Sequence, residues 1–267
     1  MIGYFSYFKT QVINGLQYKT AAFAGVLTQI FWGMLNTLVF VAFYSNVSNN
    51  TDISLSQLIT YIWLNQAFLA LIYVRTKDDD ILKSIKNGTV AYELCRPYNL
   101  YTWWYIKLLS KKYSAVILRF LPIIILGFIL PKPYNLCLPY SISNFVLFFI
   151  SLILGSLLLT SITMIIQSIA FFTNEGKGIS DIIYLFADIF AGSIIPLPLM
   201  PKVVQALGNY LPFRFIGDLA FRVYSGNITS SYAVYAIVIQ VIWLFVLVIV
   251  GQFIMRVALR KVCIQGG

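Results

Sequence analysis

Apolar and polar positions alternate along this chain in long blocks, with neither the period of a soluble helix nor that of a strand. Six apolar runs stand out, at roughly 21–45, 56–75, 113–131, 143–172, 181–197 and 231–256. A helix needs about 20 apolar residues, at 1.5 Å each, to cross a hydrocarbon core about 30 Å thick. The second and fifth runs are short, and the fourth is long enough to tilt or to protrude. No internal repeat or low-complexity segment interrupts them. The pattern predicts an all-α, polytopic membrane protein with six transmembrane helices in one domain spanning 1–267.

Before the first run the period changes. Phe5, Phe8, Val12 and Leu16 recur at helical spacing, with Lys9, Gln11, Asn14 and Gln17 between them. The spacing predicts a helix over 3–19 that lies in the headgroup plane with its apolar face down. A simple extension of the first span is the alternative. The start has no short apolar core followed by a small-residue cleavage site, so no removable signal peptide is expected.

Composition narrows the class. Hydrophobic residues make up 60% and charged residues 10% of the 267, and mean hydropathy is +0.83. Soluble domains carry about 25% charged residues, so a soluble enzyme and a disordered chain are both excluded. Histidine is absent, which removes imidazole chemistry and His-ligated metals. Cys95, Cys137 and Cys263 are too widely spaced for a zinc site and odd in number for a disulfide framework.

The net charge of +10 reads as headgroup contact and cytoplasmic loops, with no nucleic acid implied. With the N-terminus inside, Lys132, Lys202, Arg214 and Arg222 fall outside and Arg119 falls within a span. The rest of the 19 Lys and Arg are cytoplasmic, so both termini are placed in the cytoplasm. Arg119 and Asp188 are the intramembrane charges. Each stands seven residues beyond a charged residue at the cytoplasmic end of its span, Lys112 and Asp181 respectively. That equal depth makes a pair conceivable, with a snorkelling Arg119 and a water-facing Asp188 as the other arrangement. No polar pocket is apparent in the spans.

Most of the hydrophilic residues lie in one loop, 76–112. Asp78, Asp79 and Asp80 suit the positive end of a helix dipole ahead of Ile81, Leu82 and Ile85. Asn87-Gly88 supplies a helix stop, a second short segment covers Val90–Leu94, and Pro97 disfavours helix at Arg96. Tyr101-Thr102-Trp103-Trp104-Tyr105 with Lys107, Lys111 and Lys112 is the mixture found at a membrane–water interface. A solvated connector is the plain reading of such a loop.

The residues Ile85-Lys86-Asn87-Gly88-Thr89-Val90-Ala91-Tyr92-Glu93-Leu94-Cys95-Arg96-Pro97-Tyr98 closely resemble the loop of a bacterial permease group within the ABC-2 superfamily of ATP-binding-cassette exporters, which reads like I-x-x-G-x-I-A-Y-E-L-x-R-P. Cys95 departs from the usual aliphatic residue there. A second match is Ile194-Ile195-Pro196-Leu197-Pro198-Leu199-Met200-Pro201, followed by Leu211-Pro212-Phe213 and Tyr224-Ser225-Gly226. The resemblance covers nearly the whole chain.

The resemblance implies a machine of two permease subunits, identical or paired with a sister permease, driven by two cytoplasmic ATPase subunits in a bacterial plasma membrane. It implies that the loop carries a coupling helix seated in the ATPase, with Asp78, Asp79, Asp80, Lys83, Lys86, Gly88, Glu93, Arg96 and Pro97 as coupling residues. It further implies a re-entrant external segment over 193–227, with Pro196, Pro198, Pro201 and Pro212 at an outer gate. No G-x-x-x-x-G-K-[ST] phosphate loop occurs in the chain, so ATP and magnesium are expected in the partner and no cofactor in this chain. The expected function is export of a lipid, peptide or drug-like substrate. A secondary transporter or a non-catalytic membrane scaffold is the alternative.

Overall fold

The computed structural model describes residues 2–46, 51–75, 78–173 and 177–261. Cys263 and the side chain of Asp79 lie outside what is described. The helices in chain order are α1 (Ile2–Gly15), α2 (Lys19–Asn46), α3 (Leu55–Ala67), α4 (Leu69–Ile72), α5 (Asp79–Lys86), α6 (Val90–Leu94), α7 (Leu100–Ile129), α8 (Ile142–Thr173), α9 (Lys177–Phe190), α10 (Lys202–Tyr210), α11 (Asp218–Tyr224) and α12 (Ser230–Lys261). No strand occurs among the described residues. The chain is an all-α polytopic membrane protein.

Four helices, α2, α7, α8 and α12, are long and apolar enough to cross a membrane by length and composition. The other two apolar runs differ from continuous spans. The second is broken at Phe68 into α3 and α4, with Ser54 and Gln57 forming a reciprocal cap at its start. The fifth yields only α9, whose 14 residues cover about 21 Å. It stops because Gly192 takes a left-handed φ of 68°, and the chain then runs through Pro196 into a 3-10 turn, Leu197–Leu199.

The third span is longer than its apolar run. Asn99 caps α7 by accepting from the Thr102 amide at 3.0 Å, so the aromatic and basic residues 101–112 join the helix instead of forming a loop. This seats Lys112 inside the bundle, 2% exposed, with no hydrogen-bond partner for its ammonium group.

Packing centres on α8, which lies along α12, α11 and α7. Its interior face carries Ser156, Thr160, Ser161, Thr163 and Ser168, each hydroxyl donating back to a carbonyl of the preceding turn. These groups are therefore satisfied within the helix, and small side chains let neighbours approach closely. Around them Trp63, Tyr61, Phe148, Phe215 and Phe221 are almost fully buried. Trp63 donates its indole N–H to the Tyr134 carbonyl at 2.9 Å, fixing α3 to the α7–α8 connection.

Helix α1 packs along α7 through Tyr4, Tyr7, Phe8 and Val12, which are half-buried. Phe5 is 73% exposed, so the face expected to lie on lipid is shared between protein contact and the outside. Tyr7 stacks on Trp103 with ring centroids 3.6 Å apart.

Candidate functional site

Three places combine polar side chains with a shape that could act: the surface made by α5 and α6, the segment after α9, and a crevice between α2 and α3.

The α5–α6 surface is held from beneath. Asp78 caps α5, accepting from the amides of Asp80 and Ile81 at 3.0 and 3.3 Å. It also pairs with Lys111 at 2.7 Å and Lys107 at 3.5 Å, its side chain being 1% exposed. Burial pushes the Asp78 carboxyl up, but the hydrogen bond from Lys111 and the charge of Lys107 outweigh it and hold it below the ordinary 3.8. Ile81 and Val90 drop into a second apolar core with Trp104, Leu108, Met164 and Met255. Glu93 accepts from the Trp104 indole N–H at 2.5 Å. The far end is clamped where Tyr98 stacks on Trp103 at 4.3 Å, with Tyr7 on the same ring.

Of the residues expected to couple, Asp78 and Glu93 therefore turn inward and act as anchors. Helical and capping geometry gives the reason: a cap must face its own helix, and Glu93 shares a face with the buried Val90 and the indole of Trp104. Lys83, Lys86, Gly88, Arg96 and Pro97 are exposed, and Asp80 is 72% exposed within 3.6 Å of Lys111. Tyr92, absent from the expected set, is 75% exposed, and Leu94 beside it 37%. An exposed tyrosine between two anchored positions was legible as the outward residue of a short amphipathic turn. The result is a rigid cationic and apolar plate. Gly88 stands at its corner with φ 70°, and a Cβ there would meet nothing within 4 Å; its conformation, not crowding, demands glycine.

After α9 the chain folds into α10, a 3-10 turn at Pro212–Phe215, and α11. The carboxylate of Asp218 is fully buried there. The Tyr61 hydroxyl lies 3.2 Å from Asp218 Oδ1 and 3.1 Å from the Gly192 carbonyl oxygen. The Leu197 amide donates to the same Oδ1 at 3.4 Å, and Arg222 reaches Oδ2 at 3.4 Å. One acidic side chain thus gathers α3, the turn after α9 and α11. Of the four prolines, Pro196 and Pro201 begin the 3-10 turn and α10 as capping residues, while Pro198 and Pro212 stand within the first residues of the two 3-10 turns. At the start of α10 Lys202 pairs with Asp52, and Gln205 donates to it at 3.3 Å. These two hydrogen bonds hold Asp52 below the usual carboxylate range.

Asp188 and Arg119 do not meet. Asp188 accepts from Arg75 Nε and Nη2, both at 2.9 Å, because the broken second span ends close to α9. The guanidinium of Arg119 instead lies over Gly25 of α2, within 3.0 Å of where a Cβ would stand. Alanine substitution of Asp188 and of Arg75 should each lower the melting temperature in detergent, and the double variant should lose less than the sum. The same cycle on Asp188 and Arg119 should be additive. Additive losses for Arg75 and Asp188 would show that their contact carries no energy.

The crevice between α2, α3 and the turn 192–196 was missed in the sequence. Asn36, Asn65, Gln66 and Ser193 converge there with Phe40 and Ile62, around a narrow space of about 20 Å³, enough for one small polar group. Each amide alone looks like an isolated polar residue in an apolar run; the packing of α2 on α3 brings them together.

Among the described residues, no group of acidic, cysteine or histidine side chains could hold a metal ion. A family model described as "ABC-2 family transporter protein" matches residues 5–266. No curated protein matches the chain.

Proposed function

Because this chain belongs to the ABC-2 family of transporter proteins, and is thus a membrane-embedded transport subunit, we propose that it is the permease of an ATP-driven exporter whose hydrolysis takes place in separate cytoplasmic ATPase subunits. The observation that carries this reading is the α5–α6 plate. A solvated connector needs no internal anchors, yet this one is fastened by Asp78 to Lys107 and Lys111, by Glu93 to Trp104 and by Tyr98 to Trp103. Rigid backing transmits force; a flexible loop would absorb it.

In this mechanism Lys83, Lys86, Tyr92, Leu94, Arg96 and Pro97 contact the ATPase, and movement of the ATPase pair tilts the plate together with α7 and α8. A second permease, identical or a sister, completes the pathway. ATP and magnesium bind in the partner, and this chain supplies no group to hydrolysis. The substrate leaves by the end that carries α10 and α11, which faces the exterior when both termini are cytoplasmic.

Co-expression with the candidate ATPase tests the reading. The ATPase should co-purify with the permease and hydrolyse ATP faster in its company. Arg96→Glu should weaken both, since it reverses a charge on the exposed face while leaving every anchor in place. Co-purification unaffected by Arg96→Glu and by loss of Tyr92 would remove the plate from the contact.

The outer segment gives a second test. Val203 is 72% exposed on α10. A Val203→Cys variant lacking Cys137 should react with an impermeant thiol reagent added outside cells, and its rate should change when the ATPase is trapped with nucleotide. Reaction from the cytoplasmic side alone would reverse the orientation. An unchanged rate would argue that the segment is a static cap.

A further inference from the structure

In a chain this apolar, buried hydrogen-bonding groups without partners are costly, and each one calls for an explanation. Asn65 is 5% exposed, lines the α2–α3 crevice, and its Oδ1 meets no donor. Ser193, on the opposite wall, has a buried hydroxyl with no partner. Gln29 lies seven residues before Asn36 on α2, about 10 Å along the helix, and its Oε1 is also buried and unpaired. One turn beyond Gln29, Gly25 faces the guanidinium of Arg119, so the uncharged part of this wall is the crevice itself.

Charge is missing from the crevice. None of the residues lining the crevice is acidic or basic. The nearest carboxylate, Asp218, is already engaged by Tyr61, the Leu197 amide and Arg222. An ionic ligand would lose its hydration and find no countercharge. A neutral group that can hydrogen-bond would satisfy Asn65 and Ser193, while Phe40, Ile62 and Ile194 offer apolar surface to the remainder of the molecule.

We infer that the crevice between α2, α3 and the turn 192–196 is a recognition site for an uncharged hydrogen-bonding group, a hydroxyl or an amide, borne on an otherwise apolar molecule. The inference deepens the transport reading and rests on it for its purpose: the recognised molecule is the cargo, and the site selects neutral amphipathic cargo over charged amphiphiles. Asn65 and Ser193 supply the selectivity, because a site built around unpaired polar groups rejects ligands that leave them unpaired.

The permease–ATPase complex in lipid nanodiscs provides the test. Four diazirine-bearing decyl probes are compared, ending in a primary amide, a hydroxyl, a carboxylate and a trimethylammonium group. Labelled peptides are mapped by mass spectrometry. The amide and hydroxyl probes should label residues 61–66 or 192–196, and excess unlabelled decanamide should compete. Asn65→Leu and Ser193→Ala, each accepted only if the complex elutes as a single species, should reduce that labelling about fivefold, the effect of losing one hydrogen bond.

Equal labelling by the charged probes, or labelling that neither variant diminishes, would overturn the site. ATP hydrolysis is read on the same samples. A complex that assembles and hydrolyses ATP, but whose crevice shows no selective labelling, loses the site and keeps the transport reading. A permease that binds no ATPase, yet labels selectively at Asn65 and Ser193, keeps the site and loses that reading.

Discussion

Replacing Gly88 with proline should abolish permease-dependent ATP hydrolysis while leaving the protein in the membrane. Gly88 has φ 70°, whereas proline holds φ near about −65°. The substitution also removes the amide that donates to the Ile85 carbonyl at 3.3 Å. The turn must then rebuild. Since α5 is pinned by Asp78 and Ile81 and α6 by Val90 and Glu93, the new turn has to pull one of them from its seat.

A graded series separates conformation from bulk. A Cβ at Gly88 would meet nothing within 4 Å, so alanine carries only the left-handed backbone penalty of about 1–2 kcal/mol. Asparagine tolerates that conformation better. Coupled hydrolysis should therefore fall in the order Gly, Asn, Ala, Pro, with the proline variant more than about tenfold below the parent if the turn costs upward of about 1.4 kcal/mol. Unchanged hydrolysis and co-purification in Gly88→Pro would reject this loop as the contact.

Gly155→Ala should produce the largest loss of stability. A Cβ at Gly155 would lie 2.3 Å from the Ile216 carbonyl oxygen and 2.9 Å from that of Phe215. Both are backbone atoms, so no rotamer change relieves the clash. The Phe215 carbonyl also accepts from Gln240 Nε2 at 2.8 Å, tying the same turn to α12. Either α8 and the turn before α11 separate, or that bond breaks. Overpacking of this kind costs about 1–3 kcal/mol or more, which lowers the melting temperature by about 2–12 °C at this chain length. Gly178→Ala, at a position with nothing within 4 Å, serves as the control and should leave the melting temperature unchanged or slightly raised. Equal behaviour of the two variants would show that α8 and the α11 segment are not closely packed.

Local chemistry made part of the site legible in advance. Acidic residues at the start of α5, Gly88 as a helix stop and the second short helix at Val90–Leu94 follow from the helix dipole and backbone sterics within a few residues. Asp78 and Glu93 show where that local reading stops. Their residue types say that they are polar, but whether they face a partner or an internal lysine or indole depends on α7, whose start at Leu100 joins Lys107, Lys111 and Trp104 into one helix beneath them. Asp188 is a similar case: its charge in an apolar run was readable, and its partner, Arg75, depended on the break at Phe68.

That this is a membrane protein of long apolar helices, where its charged loop lies, and where the first short helix of that loop stops were all readable from composition and order along the chain. Those are properties of composition and of neighbours along the chain. Which faces of the helices meet came from their packing in three dimensions. Helices such as α8 and α12 are apolar nearly all round, since lipid and protein interior are alike in polarity, so the pattern of hydrophobic positions carries no signal for rotation about the helix axis. That rotation brings Asn36, Asn65 and Gln66 to one crevice, buries Asp218 beside Tyr61, and sets Gly155 against the carbonyl of Ile216.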